Sequence, residues 1–571
     1  MENNAQKGHP KGLWYLFGTE MWERFGYYLM LGIFSLYMID GWNNGGMGFD
    51  AGKKSDIYGT YLGLVYLTPF IGGLLADRIL GYRRSIIMGG LMMSAGYFCL
   101  SIHNETAFYV ALMLIILGNG FFKPNISTLV GNLYSADDMK DKKDAGYNIF
   151  YMGINIGAFI CNFVAAYMRI NYGWGHAFAA AGVGMLIGVA IFILGTKHIK
   201  QVDVVKPVQD GDMSTVRIFS MTVLPMFVFG ILGYMIPGNF LGSDTNDAFI
   251  IGCLPVIAFF IYLAFKSEAK ESRAIKALLA VFACVILFFA IFHQNGDALT
   301  VWAEDHTDRE MSEGVAKVAG GVGMAQVVVN NDIVSSSDSE FKATIDSMRK
   351  VEEGMPKVTK AELKAKADYS GKISQLESSR KYFATLPKDK VPAKGEDMKL
   401  YSTELYQSIN PFWVVTLTPI VVGFFGWMRR RKREPSTPTK IAIGLVITAL
   451  SALVMVGAVF ATNGMSGKAS SLWLIASYGV ITIGELCLSP MGLSLVSKLS
   501  PPRITALMMG GFFLAISVGN KLSGMLSSLW ETIPEKQNFF YLNFGLVMAA
   551  AVILFLMLRW LNSVMRENNV Q

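Results

Sequence analysis

Long apolar runs separated by short polar stretches occupy most of this chain. A helix of about 20 mainly apolar residues crosses the hydrocarbon core of a bilayer, so we interpret each such run as a membrane-spanning helix. Fourteen runs fit this description, with bounds near 13–40, 55–77, 84–102, 106–131, 146–168, 174–196, 216–236, 248–266, 274–300, 411–428, 440–462, 471–497, 504–530 and 540–561. The pattern therefore predicts an all-α polytopic membrane protein.

One segment interrupts this pattern. Residues 303–407 are rich in charged side chains and poor in aromatic ones. Helix-forming residues are frequent over 341–385, and three valines at 327–329 weakly indicate a strand. The pattern leaves open whether this insert is a folded module or a flexible loop.

The composition agrees with a membrane protein. Hydrophobic residues make up 52% of the 571 residues and charged residues only 16%, whereas soluble domains carry about 25% charged residues. The apolar content also excludes a disordered chain. The five cysteines lie singly inside apolar runs, which argues against a disulfide framework and against a metal site.

The basic residues of the short loops are divided unequally between the two sides of the predicted membrane protein. The richer side carries Arg83, Arg84, Lys266, Lys270, Arg273, Arg429 to Arg433 and Lys498. Cytoplasmic loops hold the excess of lysine and arginine, so we predict that both termini are cytoplasmic and that the insert is extracytoplasmic. We expect a multi-pass protein of the cell (inner) membrane. Topology explains the net charge of +7, which gives no indication of nucleic acid.

The chain lacks the motifs of common enzymes. No Gly-Lys pair is followed by Ser or Thr, and the six histidines form no HExxH motif. The sequence therefore contains neither a phosphate-binding loop for ATP nor a zinc-protease motif. We predict that the protein is not an enzyme and needs no cofactor, so that active transport would have to use an ion gradient.

Several ionisable residues lie inside predicted spans, where charges are costly and commonly functional. Glu20, Glu23 and Arg24 share one face of the first helix because their spacing is i, i+3, i+4. Lys123 and Glu485 lie inside two other spans. These five groups carry one negative charge in excess, which in a low dielectric favours protonation of one carboxylate. The alternative is a static cluster that only packs helices.

Five sequence motifs resemble the proton-dependent oligopeptide transporters (the POT or PTR family) of the major facilitator superfamily. The first is an ExxERF-x-YY pattern in the first span. The motifs comprise Glu20, Glu23, Arg24, Phe25, Tyr27 and Tyr28; Gly72, Gly73, Ala76, Asp77, Arg78, Gly81 and Arg83; Phe150, Tyr151, Gly153, Asn155 and Gly157; Ser408, Asn410, Pro411 and Phe412; and Gly484, Glu485, Ser489 and Pro490. Together they extend from about residue 12 to 200 and from 270 to 562, excluding the insert.

The resemblance implies a fold and an activity. Residues 1–200 would form one six-helix bundle, and residues 271–302 with 408–571 would form the other. Residues 201–270 would contribute two extra transmembrane helices, and 303–407 an extracytoplasmic insert. The resemblance also implies a symporter that imports di- and tripeptides with protons by alternating access around a midplane site. No obligatory protein partner is evident.

The family roles extend to individual residues. Proton coupling would involve Glu20, Glu23 and Arg24. The substrate site would comprise Arg24, Tyr27, Tyr66, Lys123, Asn155, Asn410 and Glu485. In this site Arg24 and Lys123 would bind the peptide carboxylate, and Glu485 the amino end. The alternative for the tyrosines and asparagines is helix packing or capping.

The chain also departs from the family pattern. An arginine and an acid thought to form an outer gate pair are replaced by Leu31 and His293. We expect His293 either to act as a second protonatable group or to be a neutral imidazole bonded to a neighbouring helix. Gln294 and Asn295 follow it directly and could fix its tautomer.

Three functions therefore remain in competition. The first is a proton-coupled peptide symporter, and the second is a proton-coupled carrier of another small solute on the same fold. The third is a membrane receptor or scaffold that acts through the insert. Buried charges on several spans argue against the third, because a scaffold does not need them.

Overall fold

The computed structural model describes residues 8–134, 143–203, 215–355, 360–501 and 504–568. These residues are predominantly helical. The helices are α1 (Lys11–Ile39), α2 (Ala51–Leu75), α3 (Tyr82–Leu100), α4 (Glu105–Leu133), α5 (Lys143–Tyr172), α6 (Trp174–Ile199), α7 (Thr215–Ile218), α8 (Leu224–Tyr234), α9 (Asp244–Lys266), α10 (Ala269–Phe292), α11 (Ala298–Asp305), α12 (Glu313–Gly321), α13 (Asp332–Ser335), α14 (Asp338–Gly354), α15 (Lys360–Phe383), α16 (Ile409–Arg430), α17 (Thr437–Ala461), α18 (Ser471–Leu499), α19 (Thr505–Thr532) and α20 (Lys536–Glu567). The described residues also contain four short strands, namely β1 (Thr307–Asp308), β2 (Gln326–Val329), β3 (Asp397–Leu400) and β4 (Ala469–Ser470), together with short 3-10 and π segments.

Among the described residues, eleven helical stretches are long and apolar enough to cross a membrane. They are Glu105–Leu133, Ile149–Tyr172, Trp174–Val202, Val216–Tyr234, Asp244–Lys266, Ala269–Asp305, Thr403–Arg430, Thr437–Ala461, Ser471–Leu499, Leu507–Thr532 and Lys536–Glu567. Helices α1, α2 and α3 occupy the first three predicted runs and are not among these eleven stretches. The protein is thus an all-α membrane protein, and the count of fourteen spans remains a prediction.

The ninth predicted run is not one continuous helix. It was expected over 274–300, whereas α10 ends at Phe292 and a 3-10 turn covers His293–Gly296 before α11 begins. A Cβ on Gly296 would lie 1.9 Å from the Tyr58 hydroxyl, so the close approach of α2 requires glycine here. The turn frees the carbonyls of Asn295 and Gly296 to accept hydrogen bonds from other helices.

Buried apolar side chains form two large cores. The first is built by α1 to α6, here called the first helix set, between Leu13 and Ile199. The second lies mainly among α9, α10 and α17 to α20. We call α10 with α16 to α20 the second helix set. The second core also includes residues of α9, which lies in the segment 201–270, and the predicted domain boundaries remain predictions.

The two helix sets meet where α2 packs against α19 and α5 packs against α16. The approach of α2 to α19 is close because both helices carry glycine at the contact. A Cβ on Gly59 would lie 2.9 Å from the Cα of Gly524. Small residues let membrane helices pack backbone to backbone, which explains why larger side chains do not fit here.

The insert is folded over its described residues. Strands β2 and β3 pair antiparallel, with Val328 opposite Met398, so the strand indicated by the three valines is present. Helices α14 and α15 cover most of the predicted helical region, on either side of residues 356–359, and α14 begins three residues before that region. Small apolar cores form around Val328 and Leu400 and around Ile345 and Ile373. These cores favour a module over a flexible loop.

Candidate functional site

Glu20, Glu23 and Arg24 form a buried ionic cluster on one face of α1. Each residue is at most 3% exposed. The Nη2 of Arg24 donates to Oε1 of Glu23 at 2.8 Å, and its Nε lies 3.2 Å from Oε1 of Glu20. The three residues therefore lie together on α1, and both acids contact one guanidinium.

The charges within this cluster do not balance. One guanidinium faces two carboxylates, and Oε2 of Glu20 is buried without a hydrogen-bond partner among the described residues. Lys123 also interacts electrostatically with Glu20 and Glu23, and it supplies the second positive charge of the region.

Aromatic rings surround the cationic groups. The Arg24 guanidinium lies 5.2 Å from the centre of the Tyr27 ring, and Lys123 Nζ lies 4.1 Å from the centre of the Tyr66 ring. The Tyr66 ring meets the ring of His293 edge-on, with 5.8 Å between centroids. These contacts hold the cations by cation–π attraction while leaving Lys123 available for an anion. Among the described residues, no carboxylate lies within 4 Å of Lys123 Nζ.

Glu485 on α18 forms a second, anionic pole. The side-chain amide of Asn410 on α16 donates to Oε2 of Glu485 at 3.1 Å and to Oγ1 of Thr482 at 2.9 Å. Glu485 interacts electrostatically with Tyr66 of α2 and with Tyr151 of α5. The acid from the second helix set therefore lies close enough to these tyrosines of the first set to interact with them electrostatically.

Asn155 and Gln294 both make hydrogen bonds away from their predicted partners. The amide of Asn155 donates to the carbonyl of Tyr151 at 3.0 Å, within its own helix, and its place in the substrate site stays a prediction. Gln294 exchanges hydrogen bonds with Asn543 at 2.8 and 3.3 Å, so it is not available to fix the His293 tautomer. The side chain of Asn295 does not bond the imidazole either, within the described hydrogen bonds.

The His293 ring lies among aromatic side chains. It stacks on the ring of Phe289 with centroids 5.6 Å apart and meets Phe292 edge-on at 5.1 Å. Together with Tyr66, these rings give the imidazole an apolar surrounding close to Lys123.

Comparison with known proteins identifies the family. The family model described as "PTR2: POT family" matches residues 83–318 and 393–543. This chain belongs to the POT family. The family that the five sequence motifs indicated is thereby confirmed, and the family consists of membrane transporters.

Relatives of this POT-family chain are similar over almost their whole length. An uncharacterized transporter, YclF, of Bacillus subtilis is 30% identical over 93% of this chain and 90% of its own. A di-/tripeptide transporter of Lactococcus lactis is 30% identical over 92% and 91%. A crystal structure of the peptide transporter POT with alafosfalin is 27% identical, covers 98% and 96% of the two chains, and has a TM-score of 0.73.

A buried ion pair of this POT-family chain was missed by the sequence reasoning. Lys54 in the first turn of α2 pairs with Asp297, which follows the 3-10 turn, and both side chains are at most 4% exposed. Ser35 of α1 donates to the Gly296 carbonyl at 2.8 Å and to Asp297 Oδ1 at 3.3 Å. The pair therefore joins the two helix sets.

A second ionic junction was missed in the same way. Lys521 on α19 is fully buried and donates to Asp56 Oδ1 of α2 at 2.6 Å and to Thr60 Oγ1 at 2.5 Å. Thr245 of α9 donates to the same aspartate at 2.5 Å. Asp297 and Lys521 both lie inside predicted spans, so the criterion that singled out Glu485 would also have found them.

Proposed function

We propose that this chain is a proton-coupled symporter that imports di- and tripeptides by alternating access. The observation that carries the proposal is the division of charge between the helix sets. Lys123 and Arg24 provide cations from the first set, Glu485 provides an anion from the second, and Tyr66 interacts with all three. A zwitterionic peptide bound between these poles would link the two sets.

The cationic pole suits a carboxylate. Arg24 is already paired with Glu23 and Glu20, whereas Lys123 has only the Tyr66 ring as a close partner among those described. We therefore propose that the peptide carboxylate binds Lys123 first and competes with the two acids for Arg24. Protonation of Glu20 or Glu23 would release Arg24 for that competition. Peptide and proton would then bind together, which is the basis of symport.

The anionic pole suits the peptide amino group. Glu485 keeps one amide partner, Asn410, and an ammonium could add a charge-assisted bond to its carboxylate. We propose that Asn410 orients Glu485 and that Tyr27 and Tyr66 line the cavity. Asn155 would donate a hydrogen bond from its side-chain amide to the substrate only after breaking its bond to the Tyr151 carbonyl. His293, next to Tyr66, is proposed as a second site of proton transfer.

We also propose the topology predicted from the loop charges. Both termini would be cytoplasmic in the cell (inner) membrane, with the insert outside. The bundles 1–200 and 271–302 with 408–571 would rock against each other, while 201–270 would contribute the extra helix pair. Lipid would surround the helices. Neither a cofactor nor an obligatory protein partner is needed in this scheme, since the proton gradient supplies the free energy.

A competition assay tests the proposed substrate. Uptake of labelled dialanine is measured in cells that express the chain, with unlabelled dialanine, trialanine, N-acetyl-dialanine and a non-peptide anion as competitors. The proposal predicts strong competition by the free peptides and weak competition by the acetylated one, which lacks the ammonium. Competition by the anion alone would favour a carrier of another solute. No uptake at all would favour a receptor or scaffold.

A further inference from the structure

The insert touches both helix sets at one end of the molecule, here called the insert end. Its attachment to the second set is firm. Strand β1 pairs in parallel with β4 in the α17–α18 connection, and Ala469 donates its backbone N–H to the His306 carbonyl at 2.8 Å. Lys468 Nζ donates to the Asp305 carbonyl at 2.8 Å, and Ser471 Oγ donates to the Asp308 carbonyl at 2.7 Å. The chain also enters the insert from α10 and α11 and leaves it into α16.

The attachment to the first set consists of side-chain contacts. Arg169, near the end of α5, forms an ion pair with the fully buried Glu404. The same guanidinium donates to Glu404 Oε2 at 3.1 Å and to Ser402 Oγ at 3.0 Å. Asn44, between α1 and α2, donates to Glu377 Oε2 at 3.1 Å, and Asn171 donates to the Gly323 carbonyl at 2.7 Å.

These two attachments differ in what happens when the helix sets separate at the insert end. The insert is continuous with the second set and paired to it by backbone bonds, so it should move with that set. Its contacts to the first set are then the ones that must break. Arg169 is also held by the first helix set, since its guanidinium lies 5.2 Å from the ring of Trp174 in α6.

We propose that the insert stabilises the state in which the insert end of the carrier is closed, and we call it a clasp in this sense. The Arg169–Glu404 ion pair, here called the catch, is the contact that has to separate before this end can open. This inference rests on the proposed alternating-access function, because a clasp has an effect only if the insert end alternates between an open and a closed state. Opening would expose Glu404 and Arg169 to water and separate a bidentate pair in one step. The clasp would thus bias the conformational equilibrium without touching the substrate.

The test measures the distance between the helix sets directly. Spin labels are attached to cysteines introduced at the exposed Tyr172 of α5 and Leu472 of α18, in a background without the five native cysteines, and distances are recorded by pulsed electron spin resonance. The isosteric change Glu404→Gln should raise the open-to-closed population ratio at the insert end at least about tenfold. Asp338→Asn is the matched control, because Asp338 pairs with Arg380 inside the insert and its side chain is exposed.

The charge swap separates the catch from a folding defect. Arg169→Glu alone should open the insert end, and Arg169→Glu with Glu404→Arg should return the distances toward those of the parent. Unchanged distances in Glu404→Gln, or an equal shift in Asp338→Asn, would overturn the proposal. The distances need no peptide, so a failed uptake assay together with the expected shift would refute peptide transport and leave the clasp in place.

Discussion

The buried Lys54–Asp297 pair makes a quantitative prediction. Both side chains are at most 4% exposed, so Asp297→Asn would leave the Lys54 ammonium without its carboxylate in a dry site. Removing one partner of a buried pair typically costs about 3–5 kcal/mol. At about 1.4 kcal/mol per factor of ten, this corresponds to roughly two to three and a half orders of magnitude in an equilibrium constant.

Loss of both charges should cost much less. The double variant Lys54→Met with Asp297→Asn removes the uncompensated ammonium, and the asparagine can still accept the hydrogen bond from Ser35. Replacing a whole buried pair by groups of similar volume is often close to neutral. We therefore expect the double variant to recover most of the stability that either single variant loses.

The assay is a double-mutant cycle on the purified protein. The free energy of unfolding is measured in mixed micelles with increasing SDS for the parent, Lys54→Met, Asp297→Asn and the double variant. A coupling energy of at least about 2 kcal/mol is expected for groups in direct contact. Additive effects, with a coupling below about 0.5 kcal/mol, would refute the conclusion that the pair joins the two helix sets.

Three further predictions concern the proposed transport site. Glu23→Gln should abolish proton-driven accumulation yet keep part of the exchange of labelled for unlabelled peptide, because the amide preserves shape but cannot release a proton; wild-type accumulation would contradict this role. Glu485→Ala should weaken binding of free dipeptides far more than of N-acetylated ones, since a charge-assisted bond of roughly 1.5–3 kcal/mol is lost; equal losses would make the residue structural. His293→Gln should flatten the pH dependence of uptake while expression stays normal, and an unchanged pH profile would assign the imidazole to packing.

Much of the helical framework could be predicted from apolar runs. The run at 248–266 corresponds to the helix Asp244–Lys266, and the run at 84–102 corresponds to Tyr82–Leu100. The break in the helix after Phe292 could not be predicted from the apolar pattern. The carbonyl groups of this turn accept hydrogen bonds from residues far away in the sequence, and the apolar pattern contains no information on such bonds. The Ser35–Gly296 bond, for example, joins residues 261 positions apart.

In the candidate site, contacts within one helix could be predicted from the sequence, whereas contacts between helices could not. The contact of Arg24 with Glu20 follows from their i, i+4 spacing, whereas its contact with the adjacent Glu23 depends on how the two side chains turn toward each other. The bond between Asn410 and Glu485 joins two helices, so only the family resemblance brought these residues together. Neither helical spacing nor the family resemblance indicated that Lys54 would pair with Asp297 or Lys521 with Asp56. A sequence indicates which charges are buried, but it does not specify which helices pack against each other.

The sequence did not indicate whether the insert is a folded module or a flexible loop, and the reason is a different one. Its fold rests on small cores around Val328 and Ile345 and on a short two-stranded sheet. Such cores leave a weak hydrophobic pattern in a charged sequence. Its contacts with Asn44, Arg169 and Asn171 come from polar side chains that look like ordinary surface residues in the sequence.

Proton entry during peptide uptake tests the central claim most directly. The purified protein is reconstituted into liposomes that contain a pH-sensitive dye, with an inward proton gradient, and dialanine is added outside. The account predicts that dialanine acidifies the lumen, that N-acetyl-dialanine does so weakly, and that Glu23→Gln liposomes give no peptide-dependent acidification. Dialanine uptake without acidification of the wild-type liposomes would contradict proton-coupled symport.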